Sequence, residues 1–140
     1  MPGLFNVAVE AIVEKDGLIL IGQRAHHLDQ APGEWETLTG RVEQGESFED
    51  AAKREVMEEV GLVVEVIKPY DTFHFYRGPD KVEHLGVSFW CKYVSGDVVL
   101  DMNEQIDFKW LTPDEAIQTI KNDNIKSSLE KFKKALLINT

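Results

Sequence analysis

The alternation of apolar and polar positions divides the chain into strands and helices before any chemistry is considered. Phe5, Val7, Val9 and Ala11 recur at every second position, Asp16-Gly17 follows, and Leu18 to Ile21 form a second apolar run. A period of two broken by Asp-Gly predicts a β-hairpin. Gln23-Arg24 closes its second strand, His26-His27 fall in a polar loop, and Ala31-Pro32-Gly33 predicts a turn before Glu34 to Thr39. From Phe48 to Val60 the period becomes helical: Phe48, Ala52 and Val56 form one stripe, Ser47 can cap the start with Asp50 three residues on, and Gly61 is placed as a left-handed stop.

Beyond that helix, Leu62 to Ile67 predicts a strand that Pro69 breaks. Thr72 to Tyr76 resumes it with Phe73 and Phe75 on one face and His74 and Tyr76 on the other. Val82 to Val94 is the longest alternating run and predicts a central strand, which Ser95-Gly96-Asp97 turns into a further short strand over Val98 to Leu100. Asn103 to Leu111 supplies a loop and a late strand, and Thr112-Pro113-Asp114-Glu115 starts a helix with a capping box. Asn122-Asp123-Asn124 interrupts, after which Ile125, Leu129, Phe132 and Leu136 mark an amphipathic final helix.

The 140 residues predict one domain, 1–140, with a core that needs no staples. The formal charge of -10 argues against a nucleic-acid polymer as partner, because affinity for duplexes rests on Lys and Arg neutralising phosphates. A small anionic substrate stays open if metal ions offset the repulsion. Cys91, the lone cysteine, falls in the run Leu85, Val87, Phe89, Cys91, Tyr93 and is read as a buried strand residue. With no intrachain disulfide available, the expected setting is a reducing cytoplasm. The amino-terminal stretch lacks a basic lead and is interrupted by Glu10, so neither a signal peptide nor a membrane span is expected there.

Chemistry enters with Gly40 to Leu62. Glu55, Glu58 and Glu59 fall one turn apart on adjoining faces of the helix, with Glu59 beside the apolar stripe. Carboxylates so placed repel one another, and a divalent cation would reverse the sign of that interaction; hard oxygen ligands suit Mg²⁺ or Mn²⁺ better than Zn²⁺. Three glutamates alone would also make an ordinary solvated face. The wider spacing changes this reading: Gly40, Glu46, Arg54, Glu55, Val56, Glu58, Glu59, Gly61 and Leu62 follow G-x5-E-x7-R-E-(apolar)-x-E-E-x-G-(apolar) at every position. Fixed residue types at roughly one in twenty each put a chance match on the order of 10⁻⁹.

This pattern resembles the signature of the Nudix hydrolase family, of MutT type. The resemblance implies an α+β fold, a mixed β-sheet sandwiched between helices, and hydrolysis of a nucleoside diphosphate linked to some moiety. It implies Glu55 and Glu59 as metal ligands, Glu58 as a further ligand or the base that polarises water, and Arg54 as the residue that holds Glu55. Glu46 would be structural or outer-shell. Glu104 is the one acid outside the helix placed at the metal, or else a solvated loop glutamate. Arg24 would face substrate phosphates, or be a surface arginine at a strand end, and Tyr76 and His74 could line a substrate pocket. Base selection would depend on loops around Tyr76, His84 and Asn124.

Many family members have Gly-Gly where this chain has Thr39-Gly40, and the first of the two commonly gives its carbonyl to the metal. Thr39 retains that carbonyl but tolerates fewer backbone conformations. The W-x-x-x-T-G-x-V-E-x-G-E variant, from Trp35 to Glu46, resembles the dihydroneopterin triphosphate pyrophosphohydrolase branch. Three functions follow. The first is a Mg²⁺- or Mn²⁺-dependent pyrophosphohydrolase of a nucleoside or pterin triphosphate. The second is a hydrolase of dinucleoside polyphosphates or ADP-ribose-type nucleotide sugars. The third is a nucleotide-sensing domain without turnover, against which the crowded acids argue. The resemblance leaves a homodimer open.

Overall fold

The computed structural model describes residues 3–138; Met1 and Pro2, at the head of the predicted first strand, lie outside the described residues. The chain runs β1 (Asn6–Lys15), β2 (Leu18–Arg24), β3 (Trp35–Glu36), β4 (Leu38–Arg41), α1 (Phe48–Val60), β5 (Val63–Arg77), β6 (Val82–Ser95), β7 (Gln105–Leu111), α2 (Pro113–Thr119) and α3 (Asp123–Ile138). The sheet is mixed: β1 and β6 run parallel, and every other pairing is antiparallel. β1 and β2 pair only beside their turn, at Glu14 with Ile19 and Lys15 with Leu18. Beyond that the hairpin splays, and the opening takes β3 against β2 and β4 against β1. This opening delivers the signature glycine to the sheet's interior.

Alternation along each strand builds two cores. Val9, Ala11, Val13, Leu20, Leu38, Phe89 and Cys91 pack against Ala51, Ala52, Val56 and Val60 of α1. Ile12, Ile19, Ile21 and Trp90 on the opposite face meet Ala116 of α2, Ile120 after it, and Leu129 and Phe132 of α3. The result is the helix–sheet–helix sandwich of the α+β class. α1 is capped as its sequence predicts: the Ser47 side chain accepts from Asp50 N–H, and Gly61 adopts φ 72°. A left-handed stop of this kind suits glycine because a Cβ would clash there, and a serine cap contributes about 1 kcal/mol. The capping box at Thr112 and Glu115 is present as well.

Three expectations are corrected. β5 continues through Pro69, which pairs with Phe89 between register shifts at Val66/Lys68 and Pro69/Asp71. β5 is the outer strand beside β6, so a missing N–H on its open side leaves no ladder partner unsatisfied. Val98 to Leu100 form no strand. Instead Val99 N–H donates to the Val60 carbonyl and Asp101 N–H to the Glu59 carbonyl, so this segment satisfies the free carbonyls at the end of α1. Asp123 and Asn124 belong to the first turn of α3, with the Asn122 side chain accepting from Ile125 N–H. Among the described residues no helix is long and apolar enough to cross a membrane.

Candidate active site

Arg54 organises the acids of α1. Its Nε and Nη2 donate in parallel to the two oxygens of Glu46, at 2.7 and 2.9 Å, Nη2 also reaches the Arg41 carbonyl at 2.8 Å, and Nη1 donates to Glu55 at 2.9 Å and Glu58 at 3.1 Å. The fork geometry of guanidinium permits this sharing, which a single ammonium could not reproduce. Hydrogen bonding to Arg54, then to the Glu43 N–H, holds the Glu46 carboxyl down at about 2. Glu55 is pushed the other way, since burial outweighs the Arg54 contact.

Gly40 makes room for Glu55. A Cβ built on Gly40 would run into the Glu55 carboxyl group, so glycine is required here by close approach. Gly40→Ala is expected to leave the far-ultraviolet circular dichroism unchanged while lowering kcat about 10- to 100-fold, because Glu55 must swing aside; steady-state kinetics with wild-type turnover would contradict it. Thr39 lies in β4, paired with Glu10, and is absent from the residues of positive φ. The strand geometry therefore accommodates a β-branched residue at this position.

Glu59 sits one turn past Glu55 and is mostly buried. Its Oε2 is shielded from water and has no hydrogen-bond partner. Burial first, then the charges of Glu55, Glu36, Glu104 and Asp101, push its carboxyl up to about 9. Acids from β3, α1 and the segment before β7 thus all raise the cost of a charge on Glu59. Among the described residues no three acids close into a ready-made metal cage. Arg54 occupies one oxygen each of Glu55 and Glu58, and the orphaned oxygen of Glu59 remains as the feature a cation would satisfy. A shielded carboxylate oxygen without a partner, among other acids, suits a hard cation such as Mg²⁺, which takes one or two carboxylates. The donor set therefore fits a hard divalent ion.

Arg24 stands at the end of β2, its Nε donating to the Gln30 carbonyl at 2.7 Å and its Nη1 lying 3.3 Å from Glu36. Glu36 also accepts from Gln105 Nε2 at 3.0 Å, and Gln105, only 1% exposed, keeps its own Oε1 unpartnered. Burial raises the Glu36 carboxyl, against the pull of Arg24, Gln105 and Arg77. Glu36, Gln105 and Asp101 were not legible as site residues: each lies outside the 40–62 signature, and only strand pairing of β2 with β3 and β7 brings the first two together.

Glu104 projects from the exposed loop before β7, its backbone tied to Ala25 and Asp101. His74 and Tyr76 share a face of β5 near the β5–β6 turn. His74 Nε2 lies 2.6 Å from Glu83, and Tyr76, 61% exposed, meets the His74 ring edge-on. Among the described residues no hydrogen bond or ion pair joins either to residues 40–62. His84 is buried instead, with Nδ1 facing the Val82 carbonyl and Phe75 stacked on its ring; Asn124 lies in the first turn of α3.

A helix bearing crowded acids is laid across a mixed sheet, with Glu36 of β3 and Asp101 and Glu104 before β7 adding negative charge around Glu59. The sequence model of the NUDIX domain matches residues 4–135. The NAD-capped RNA hydrolase NudC of Escherichia coli is 35% identical over 103 residues, 74% of this chain and 37% of that protein. The chain thus spans little more than a third of the length of the curated relatives it matches. The solution structure of the Escherichia coli ORF135 protein superposes with a TM-score of 0.74 at 28% identity, covering 93% of this chain and 89% of that one. A Caenorhabditis elegans Ap4A hydrolase shares the fold at 22% identity, with a TM-score of 0.74 over 96% of this chain and 99% of its own. The chain belongs to the Nudix hydrolase family.

Proposed function

We propose that this protein is a divalent-metal-dependent pyrophosphohydrolase that cleaves a phosphoanhydride bond of a nucleoside or pterin triphosphate. The observation that carries the reading is the buried, unpartnered oxygen of Glu59, on which the charges of four further acids bear. Glu55 and Glu59, with Glu58, Glu104 and the Thr39 carbonyl around them, would hold Mg²⁺ or Mn²⁺, which supplies charge neutralisation at the phosphate oxygens when bound. Arg54 keeps Glu55 and Glu58 in fixed directions. Glu58, 58% exposed at its side chain, has one oxygen held by Arg54 and the other free to take a proton from the attacking water. The water oxygen bonds to phosphorus, the bridging P–O bond breaks, and pyrophosphate leaves with its electron pair. Arg24 would meet the phosphate chain by exchanging its contact with Glu36.

The net charge of -10 supports a small substrate rather than an RNA polymer, although NudC is named for a capped RNA, and the lone buried Cys91 agrees with a reducing, cytoplasmic setting. The test is release of phosphate and pyrophosphate from nucleoside triphosphates, dihydroneopterin triphosphate, diadenosine polyphosphates, ADP-ribose and NAD-capped RNA, with Mg²⁺ or Mn²⁺ and with chelator. Chelator-sensitive pyrophosphate release from a triphosphate is expected. Preference for a dinucleotide or capped RNA would replace the substrate class, and nucleotide binding without product would favour the sensing domain.

A further inference from the structure

On the sheet face opposite α1 lies a buried carboxylate that the reaction does not use. Glu10 of β1 is 4% exposed and accepts hydrogen bonds from four hydroxyls: Thr37, Ser88 at 2.7 Å, Ser128 at 2.6 Å and Tyr70 at 3.2 Å. A buried charge is retained only when fully satisfied, and here the donors come from the β3–β4 junction, β6, α3 and β5. Ser88 and Ser128 sit within long regular elements whose placement rests on extensive packing. Thr37 differs. It is fully buried at the junction between β3, two residues long and paired with β2, and β4, four residues long and paired with β1.

Ladders of two and four residues have few backbone bonds to hold their register, so side-chain contacts must set it. A slip of one residue sends every side chain to the opposite face. Through this segment the faces alternate strictly. Trp35 and Thr37 point toward the α2–α3 core and Glu10, whereas Glu36, Leu38 and Gly40 point toward α1, where Glu36 joins the acids, Leu38 enters the core and Gly40 admits Glu55. A one-residue slip would put Thr37 and Thr39 in those places. We infer that Glu10 is a positioning residue: by holding the Thr37 hydroxyl from beneath the sheet, it pins the register of residues 35–41 and so sets Glu36 and Gly40 in the acidic site on the other face.

The comparison that tests this is Thr37→Val against Ser128→Ala. Each removes one hydroxyl donor from the same carboxylate, so a merely structural role predicts equal consequences. Thr37→Val is expected to speed amide hydrogen exchange across residues 36–41 about tenfold over Ser128→Ala. It is also expected to weaken Mn²⁺ binding, read by electron paramagnetic resonance, about tenfold. Thr37→Ser, which keeps the hydroxyl, should match wild type in both. If Thr37→Val does not fold, the double variant Glu10→Met/Thr37→Val leaves no unpaired buried charge and should show the same faster exchange. Equal exchange in the Val and Ala variants, or wild-type exchange at 36–41 without the Thr37 hydroxyl, overturns the inference. The Mn²⁺ arm rests on the proposed metal-dependent function: a folded wild-type protein that binds no Mn²⁺ refutes that function, and the exchange comparison then decides the role of Glu10 alone.

Discussion

Glu59→Gln is expected to abolish metal-dependent turnover while making the metal-free protein more stable. Loss of an outer-shell partner costs about 10- to 100-fold in metal affinity or activity, and loss of a direct ligand should cost at least as much. The gain in stability follows from the same burial. The Glu59 carboxyl is pushed up to about 9 by desolvation and by Glu55, Glu36, Glu104 and Asp101, so at neutral pH the folded state either holds a proton there or carries a shielded, unpaired charge. An amide of the same shape removes that charge. For a chain of this length each kcal/mol relieved raises Tm by roughly 2–4 °C.

The pH dependence has a definite sign. An acid raised in the folded state contributes stability that is complete below its ordinary value of 4.5 and lost as pH rises through about 9. Thermal melts of the wild-type protein in chelator should therefore fall across that window, and those of Glu59→Gln should be flatter. Wild-type turnover in the variant, or a lower melting temperature without metal at pH 8, would contradict the placement of Glu59.

Arg54→Lys should lower kcat by about 10²-fold with a smaller change in KM, because misdirecting Glu55 and Glu58 affects the chemical step more than binding. Lysine offers one compact ammonium in place of a guanidinium that serves Glu46, Glu55, Glu58 and the Arg41 carbonyl together. The variant should also melt lower at neutral pH. Glu46 is held down at about 2, so the stability it contributes is present above 4.5 and disappears as pH falls through about 2. The gap in Tm between wild type and Arg54→Lys should accordingly narrow on acidification. A constant gap, with kcat unchanged, would mean that Arg54 is ordinary surface charge.

The sequence alone determined those features whose physics is local. Ser47, the Gly-free run to Val60 and Gly61 specify a helix because caps and periodicity act within one or two turns. The alternation of Val82 to Val94 marked the central strand β6, and the spacing of the nine signature positions was sufficient to name the family. The tertiary structure decided what depends on residues distant in the chain. Pro69 stays in a strand because β5 is at the sheet edge, and Val98 to Leu100 leave the sheet to satisfy the last carbonyls of α1. Glu36 and Gln105 join the acids only through pairing of β2 with β3 and β7, and Glu10 collects hydroxyls from as far as Ser128. Periodicity states which face a side chain takes within its own element. Which charges that face will meet, and whether water reaches them, is set only when separate elements pack.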